Sequence, residues 1–403
     1  MFSTVTVVPS PPGRETGWQA RAEIDLGAIR HNTATVLAAA GTEVMAVVKG
    51  DGYGHGALSV ARAALAGGAT WLGTASLAEA MRLRAAGITA PVLAWLVPPY
   101  VPRDSAVVAG IHLSASSTEE LDALRGAALR TGVPALVHLK ADTGLGRGGA
   151  RPEQWPALVG AAARSAADGL VRVVGVWSHL VHVDDPGHPE HRRQIGRFTR
   201  ALDTAAAAGL RDVCRHLANS AAALDLPAAR FDMVRAGSAL YGLTPRAGPG
   251  TVLRPSMALR ARVAATKRLG AGCGVGYGHT YVTDRPATVA LIPLGYAHGV
   301  PRAAGNRCHV WLGGARRPII GRVSMDQLVV ECGDDPVAVG DVATLLGPGV
   351  HGEPTAHDWA AALGTVSYEV VTNLGGDRID RTYLDPPPTA GGARHTDPAL
   401  RTP

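Results

Sequence analysis

The chain of 403 residues has few cysteines and lacks long apolar or like-charged runs. Its four cysteines show no CxxC spacing and no matching histidine pattern, so a zinc site is not expected and a disulfide framework is not needed. No apolar stretch reaches the ~20 residues of a membrane-spanning helix. The first residues, MFSTVTVVPSPPGRETG, also lack the basic segment and sustained apolar core of a signal peptide. We therefore expect a protein of the reducing cytoplasm.

The charge of the chain is modest and spread along its length. The formal net charge is +6 and comes from scattered arginines, without a block of like charges. No stretch interleaves basic and aromatic residues as a nucleic-acid-binding surface does. With 46% hydrophobic and 18% charged residues, the composition is that of an ordinary globular protein. Neither a nucleic acid nor a membrane is expected as a partner.

A repeated alternation of strand and helix patterns occupies the first part of the chain. Eight short apolar runs are each followed by a helical pattern or a loop: EVMAVV, TWLGTA, PVLAWL, IHLSAS, PALVHLKA, RVVGVWSHL, CRHLANS and DMVRAGSAL. Short apolar strands that alternate with amphipathic helices indicate a parallel sheet, and eight repeats are typical of a (β/α)₈ barrel. An open doubly wound sheet has the same alternation and remains the alternative.

The pattern changes near residue 250, where alternating strands separated by Gly and Pro clusters begin. These strands are RARVAATKRL, ATVALIPL, RCHVWLGG, LVVEC and ATLLG. We predict an α/β protein with an N-terminal (β/α)₈ TIM-type barrel over residues 18–250 and a mainly β C-terminal domain over residues 251–385. Residues 1–17 and 386–403 are rich in Pro, Gly and polar residues, and we expect flexible tails there.

Polar residues follow five of the eight predicted strands. In a parallel barrel the carboxyl ends of the strands meet at one mouth, which is where chemistry takes place. The residues at these ends are Lys49, Tyr53, Lys140, Arg147, His179, Asn219, Ser220, Arg235, Gly237 and Ser238. They include no cluster of carboxylates of the kind that binds a divalent metal, so no metal is expected.

These residue types suit a phosphorylated aromatic cofactor. Barrels commonly bind phosphate near strands seven and eight, where the hydroxyl of Ser220 and the backbone N–H groups of Ser220, Gly237 and Ser238 are available. A lysine at the mouth can bond covalently to an aldehyde once its ammonium group is desolvated or lies beside another cation. Lys49 and the phosphate cradle together indicate pyridoxal 5'-phosphate.

Each residue also has an ordinary structural interpretation. Strand-end lysines such as Lys49 are mostly solvated, and a lone histidine such as His179 is usually a hydrogen-bonded structural residue. Ser220 is of a residue type that often caps a helix N-terminus and stands just before AAALDL. Lys140 has Asp142 as a potential ion-pair partner. These interpretations do not explain why all of the residues stand at strand ends.

The chain also resembles the alanine racemase family, from about residue 18 to residue 385. The similar segments occur in order along the chain: AVVKGDGYGHG, LKADTGLGRGG, HLANSAA, VRAGSALYG, VGYGHTY, LGYAHGVPR, GRVSMDQ and SYEVVTNLGGDRIDRTY. The resemblance implies an isomerase that interconverts L- and D-alanine with pyridoxal phosphate. It also implies a homodimer whose active sites are shared between the subunits.

The resemblance implies a role for each matching residue. Lys49 would hold the cofactor and move a proton on one face of the substrate Cα, and Tyr277 of the partner subunit would act on the opposite face. The residues implied around the phosphate are Tyr53, Asn219, Ser220, Gly237, Ser238 and Tyr368. Arg235 would face the pyridine nitrogen and His179 would pack against the ring. Arg147 would contact the substrate and the phenolic oxygen of the cofactor, and Met325 of the other subunit would contact the substrate. Lys140 would match a carbamylated lysine.

Physical chemistry supports two opposed groups. Racemisation needs an acid or base on each face of Cα, because one base that returns its proton to the same face changes nothing. Tyrosine is a poor base at neutral pH, so cationic neighbours such as His179 or Arg235 would have to assist Tyr277. An arginine does not release its proton, so Arg235 would leave the ring nitrogen unprotonated and limit side reactions.

Some residues depart from the family pattern. Ser324 stands where cysteine is common, Leu145 where methionine is usual, and His298 where aspartate is usual. His182 replaces a small residue near the entrance, and the implied entrance residues are His182, Asp184, Tyr296 and His298. The two additional imidazoles suggest a racemase of serine or of another larger or polar amino acid. Another pyridoxal-phosphate barrel enzyme such as a decarboxylase, or a silent cofactor-binding protein, stays open as an alternative.

Overall fold

The structure is a computed structural model that describes residues 17–98, 100–182, 185, 187–243, 252–374 and 379–385. The predicted tails, 1–17 and 386–403, lie outside these ranges except for Gly17. Among the described residues, no helix combines the length and the apolar character that crossing a membrane requires.

The first nine strands alternate with helices. In chain order they are β1 (Ala20–Asp25), β2 (Glu43–Val47), β3 (Trp71–Thr74), β4 (Val92–Ala94), β5 (His112–Ala115), β6 (Ala135–Lys140), β7 (Val171–Trp177), β8 (Cys214–His216) and β9 (Met233–Ala236). Strands β2 to β9 form an eight-stranded parallel sheet in the order β8-β7-β6-β5-β4-β3-β2-β9. All eight correspond to the runs predicted from the sequence.

The sheet closes into a barrel. The backbone N–H of Asp232 donates to the oxygen of Arg215 at 3.0 Å, and that of Arg235 donates to the oxygen of Ala218 at 3.0 Å, which joins the segments of β8 and β9. The predicted (β/α)₈ barrel is therefore confirmed, and the open doubly wound sheet is excluded.

Helical segments alternate with the strands of this part of the chain. They are α1 (Leu26–Ala40), α2 (Lys49–Tyr53), α3 (Ala57–Ala66), α4 (Leu77–Ala85), α5 (Asp104–Val108), α6 (Thr118–Thr131), α7 (Trp155–Ala167), α8 (Pro189–Ala207) and α9 (Ser220–Asp225). Several begin at side-chain caps that satisfy free N–H groups of the first turn. The capping box of α4 is complete, because Ser76 accepts from the N–H of Glu79 and Glu79 accepts from the N–H of Ser76.

The remaining strands build a second sheet. They are β10 (Met257–Arg262), β11 (Ala265–Leu269), β12 (Gly274–Val275), β13 (Tyr281–Val282), β14 (Ala287–Ile292), β15 (His309–Leu312), β16 (Ala315–Ile320), β17 (Leu328–Gly333), β18 (Val342–Leu346) and β19 (Asp380–Leu384). Its helices are α10 (Ala356–Leu363) and α11 (Ser367–Leu374). Short 3₁₀ turns span Pro227–Ala229, Ser238–Tyr241, Tyr277–His279, Tyr296–His298 and Arg302–Ala304. Strands β12 and β13 form a separate pair, and the predicted mainly β second region is confirmed.

Strand β1 lies in the second sheet rather than in the barrel. The nine-stranded sheet has the order β11-β14-β17-β16-β15-β18-β10-β1-β19. Strand β1 pairs antiparallel with β10 and parallel with β19. The sequence analysis did not predict this strand, nor β12, β13, β16 and β19. From β1 onward the chain therefore leaves the second sheet, forms the whole barrel, and returns to the same sheet.

Candidate functional site

The residues predicted at the strand ends line one cavity at the mouth of the barrel. The cavity has a volume of about 590 Å³. Its lining includes Lys49, Tyr53, Lys140, Arg147, His179, Asn219, Ser220, Arg235, Gly237, Ser238 and Tyr368. Tyr368 comes from α11 of the second region, so both halves of the chain contribute. Within the described ranges, no three acidic, histidine or cysteine side chains converge as a metal site would require.

Lys49 follows β2 and begins an unusual turn. Gly50, Asp51, Gly52 and Tyr53 all have positive φ between 53° and 63°, so α2 is a left-handed turn rather than a right-handed α-helix. Glycine adopts this conformation without a steric cost, and aspartate tolerates it. Burial lowers the pKa of Lys49, and the nearby cation Arg147 lowers it further. The amine at this position is therefore easier to deprotonate than a solvated lysine.

The left-handed turn directs the ring of Tyr53 toward the strands that end beside it. This ring stacks on Tyr241, with centroids 4.6 Å apart, and meets Tyr368 edge-on at 6.5 Å. The hydroxyl of Tyr241 donates to the oxygen of Val47 at 3.1 Å. Tyr53 is thus held from two sides, with its hydroxyl beside Gly237.

The residues predicted to bind phosphate line the same part of the cavity, and some of their polar groups already have partners within the protein. The oxygen of Ser220 accepts hydrogen bonds from the N–H groups of Gly237 at 2.8 Å and Ala239 at 3.2 Å. The N–H of Gly237 therefore has a partner within the protein and does not point freely at a ligand. Asn219, rather than Ser220, caps α9 by accepting from the N–H of Ala222 at 3.1 Å. Within the described chain, the buried Nδ2 atom of Asn219 has no hydrogen-bond partner, so this donor is available to a ligand.

Arg235 is a buried cation that is held by neutral acceptors. It donates to the backbone oxygens of His216, Ser178 and Leu217 at 2.8, 2.7 and 3.1 Å. It also contacts Nδ1 of His216 and Nδ1 of His179, each at 3.2 Å. Burial lowers the pKa of Arg235 to about 9, so it remains charged at neutral pH. Since an arginine can only donate, both imidazoles present an unprotonated Nδ1 to it.

His179 is accordingly a neutral imidazole. Burial lowers its pKa well below the ordinary range, and the cations Arg235, Arg147, Lys140 and Lys49 lower it further. With Nδ1 accepting from Arg235, the proton of His179 lies on Nε2. The sequence analysis treated His179 as a potential cationic helper of Tyr277, and the neutral state argues against that contribution.

Lys140 lies over the indole of Trp177. The ammonium nitrogen is 4.5 Å from the ring centroid, and the guanidinium carbon of Arg235 is 4.9 Å from the same ring. Burial, Arg235 and Arg147 together lower the pKa of Lys140 to about 8. Asp142 accepts from the backbone of the following loop, so the alternative that it simply pairs with Lys140 is not supported.

The predicted residues of the second region do not all reach this cavity. Tyr277, Met325 and Tyr296 are 72%, 59% and 42% exposed, and none of them lines it. His298 uses Nδ1 to accept from the N–H of Gly295 at 3.2 Å. At the predicted entrance, the ring of His182 stacks on His188 with centroids 3.5 Å apart. The predicted entrance residue Asp184 lies outside the described residues.

Sequence reasoning missed several residues of the site. Trp95, Trp177 and His357 line the cavity, and Glu79 of α4 accepts from the N–H of Gly50 at 2.6 Å. It also missed the buried histidines of strands β5, β6 and β8. Their signal was a histidine inside an otherwise apolar strand, as in IHLSAS and PALVHLKA.

The fold and the site define a two-region barrel protein with a desolvated lysine at the barrel mouth. Family models agree with this description over most of the chain: "Alanine racemase, N-terminal domain" matches residues 24–245 and "Alanine racemase, C-terminal domain" matches residues 256–383. The chain belongs to the alanine racemase family.

Individual relatives lead to the same family. The chain is 57% identical over 366 residues to an alanine racemase of Salinispora arenicola, which covers 91% of the chain and 98% of the relative. The structure of alanine racemase from D-cycloserine-producing Streptomyces lavendulae matches with a TM-score of 0.90 at 47% identity, over 92% of this chain and 98% of the other. That of Bartonella henselae, described with covalently bound pyridoxal phosphate, has a TM-score of 0.82 at 28% identity and covers 91% of this chain and 100% of its own.

Proposed function

We propose that the chain is a pyridoxal-phosphate-dependent isomerase that interconverts L- and D-alanine, with Lys49 and Tyr277 as its two proton-transfer groups. We also propose a homodimer of the cytoplasm. The four cysteines are free, as is usual in a reducing compartment. The observation that carries the function is the cavity that joins Lys49 to an anion cradle and to Arg235.

The residues of the cavity fit the proposed cofactor. Asn219 has an unused donor, the hydroxyl of Ser220 accepts from the N–H of Gly237 and keeps its own hydrogen, and the hydroxyl of Tyr53 lies beside Gly237. These groups would hold the phosphate, while Lys49 would hold the aldehyde end. When bound, pyridoxal phosphate acidifies the Cα–H bond of an amino acid by drawing electrons into its ring.

Lys49 is suited to move a proton on one face of the substrate. Its lowered pKa gives a larger share of free amine at neutral pH than a solvated lysine has. Tyr277 is suited to act on the other face only if another molecule supplies it. Its ring is 72% exposed and does not line the cavity of its own chain. Because the two-base reaction requires Tyr277, its exposed position outside the cavity supports an active site shared across a dimer.

Arg235 supports racemisation over decarboxylation. It would face the pyridine nitrogen with a guanidinium that donates a hydrogen bond but does not release its proton. A decarboxylase would be expected to place a carboxylate there. Arg235 is buried among neutral acceptors and remains charged at neutral pH. The ring nitrogen would therefore stay unprotonated, which limits competing reactions.

Arg147 and Lys140 are the proposed substrate-side cations. Arg147 would bind the substrate carboxylate and the phenolic oxygen of the cofactor, and Met325 of a second subunit would add a backbone N–H. Lys140, with a pKa of about 8, has a larger share than a solvated lysine of the free amine that carbamylation requires. A carbamate at that position would be an anion beside Arg147 and would orient its guanidinium.

A direct experiment tests the proposed function. The purified holoenzyme is incubated with L-alanine in heavy water, and we expect D-alanine to appear with deuterium at Cα. The Lys49→Ala variant should lose both this activity and the visible absorbance band of the lysine-bound cofactor. Carbon dioxide release without D-alanine would instead indicate a decarboxylase, and a visible band without turnover of any amino acid would indicate a silent binder.

A further inference from the structure

Three buried imidazoles form a continuous hydrogen-bonded column through the barrel interior. Nδ1 of His112 lies 3.2 Å from Nε2 of His138, and Nδ1 of His138 lies 2.9 Å from Nε2 of His216. Nδ1 of His216 lies 3.2 Å from a guanidinium nitrogen of Arg235. His138 and His216 are fully buried, and His112 is 8% exposed. The column thus runs from β5 across β6 and β8 to the cation at the cavity.

The chemistry of Arg235 determines where every proton in the column lies. An arginine can only donate, so Nδ1 of His216 must accept and its proton must lie on Nε2. That proton is donated to Nδ1 of His138, whose own proton must then lie on Nε2. The Nε2–H group of His138 donates in turn to Nδ1 of His112. All three imidazoles are therefore neutral Nε2–H tautomers, because one added proton would set two N–H groups against each other.

Packing holds the three rings in place. The indole of Trp177 stacks on His216 at 5.7 Å with an interplanar angle of 2°. Trp71 meets His112 and His138 edge-on at 4.8 and 5.5 Å. A β-carbon at Gly175 would lie 2.4 Å from Nδ1 of His138, so only glycine leaves room for that ring on β7. The rings cannot turn over without disturbing these contacts.

Burial favours the neutral state as well. It is the largest cause that lowers the pKa of each histidine, and the pKa of His112 falls to about 4. The arginines that also lower these pKa values are Arg172 and Arg84 for His112, and Arg235 for His138 and His216.

We propose that His112 and His138 are positioning residues for the reaction, acting on Arg235 through His216. Neither of them lines the cavity at the barrel mouth. Their ordered tautomers keep an acceptor in front of the guanidinium and so fix its orientation at the cavity. This inference rests on the proposed function, in which Arg235 faces the cofactor ring.

A matched pair of substitutions tests the column. In His112→Asn the side-chain oxygen replaces Nδ1 as an acceptor, whereas His112→Leu removes the acceptor and leaves the N–H of His138 without a partner. Losing an acceptor for a buried donor in a linked network should lower kcat about fivefold with KM little changed. We expect His112→Asn to keep kcat near that of the unmodified enzyme.

The tautomers are read directly from ¹⁵N chemical shifts of histidine-labelled holoenzyme. In the unmodified protein we expect three neutral Nε2–H rings, and in His112→Leu we expect the signals of His138 and His216 to shift. A merely structural role would lower the melting temperature of both variants and leave the His216 signals in place. An Nδ1–H tautomer or an imidazolium in the unmodified protein would overturn the proposal even if neither variant folds, and so would equal kcat values in two folded variants.

The measurement also separates this proposal from the proposed function. Ordered tautomers that respond to His112→Leu, in a protein that does not racemise any amino acid, would leave the column in place and reject the racemase. Racemisation by a protein whose histidine tautomers are disordered would support the racemase and reject the ordered column.

Discussion

A β-carbon added to Gly237 would lie 2.5 Å from the hydroxyl oxygen of Tyr53. The backbone of Gly237 has φ −113° and ψ −93°, and this ψ lies outside the ranges that residues with a side chain usually adopt, so both space and backbone conformation favour glycine here. Tyr53 has no room to retreat, because Tyr241 and Tyr368 pack on it from two sides. The strand-end glycine and the tyrosine of the left-handed turn therefore fit each other.

We expect Gly237→Ala to weaken cofactor binding. Overpacking of a filled site costs ~1–3 kcal/mol, which corresponds to a rise of about 5- to 150-fold in the dissociation constant for pyridoxal phosphate. The measurement is titration of the apoenzyme by absorbance. Gly270→Ala is the control, since an added β-carbon there meets no atom within 4 Å. Equal dissociation constants for pyridoxal phosphate in Gly237→Ala and Gly270→Ala would show that cofactor binding does not depend on the space between Gly237 and Tyr53.

Complementation tests whether Tyr277 acts in trans. Lys49→Ala and Tyr277→Phe are each expected to be inactive as homodimers. When equal amounts are mixed and allowed to exchange subunits, half of the dimers combine the two variants, and each of these carries one intact site. About one quarter of the unmodified activity should return, by the symmetry of a twofold dimer. No recovery despite demonstrated exchange would mean that both groups belong to the same chain.

The pKa of Lys140 predicts a pH-dependent modification. Its free amine can take up carbon dioxide to form a carbamate and release one proton. Below a pKa of about 8 the group is mostly a non-reactive ammonium, so carbamate should increase as the pH rises through that value. A ¹³C resonance from labelled bicarbonate should follow this rise, and Lys140→Arg should remove it. A resonance that persists in the variant would assign the carbamate to another lysine.

Asp51 links the left-handed turn to β19. Its Oδ1 accepts from the N–H of Ala57 at 2.9 Å, and its Oδ2 pairs with Arg381 at 2.6 Å. Asp51→Ala removes both bonds and places a non-polar residue at positive φ, so it should lower the free energy of unfolding by about 1–3 kcal/mol. Asp51→Asn keeps an acceptor and tolerates that φ, so it should cost less than about 1 kcal/mol. Chemical denaturation of both variants measures the difference, and equal losses would assign the effect to the ion pair.

The two unusual histidines at the predicted entrance bear on specificity. We predict that the enzyme also racemises serine, because His182 and His298 place imidazoles, which can hydrogen-bond to a hydroxyl, at the predicted entrance. Turnover of a panel of L-amino acids measures this. His182→Ala should lower the ratio of serine to alanine kcat/KM, and His309→Ala, at the exposed first residue of β15, serves as the control. Turnover of alanine alone would contradict the prediction.

The barrel was predictable because its strands are continuous apolar runs. Strands such as EVMAV of β2 and VLA of β4 are almost wholly buried, which is typical of a parallel sheet covered on both faces. Strand β1 was not predictable in this way. Its sequence ARAEID mixes apolar and charged residues, and its partner β10 lies more than two hundred residues away in the chain. Local patterns carry no information on such a pairing.

The site was predictable to the extent that it depends on strand ends. Lys49, His179 and Arg235 meet because parallel strands end at one mouth. The proton arrangement was not predictable, since it depends on which imidazole nitrogen faces which neighbour across three strands. The neutral state of His179 follows from the same contacts and from burial.

The placement of β1 between β10 and β19 makes the barrel an insertion into the second sheet. A fragment from β2 to β9 would lack β1, and the remaining chain would have to bring β10 and β19 together across a missing strand. The two regions are thus neither separable nor independent in stability. We expect a single cooperative unfolding transition, and we expect circular permutants opened within the barrel to fold more readily than the isolated halves.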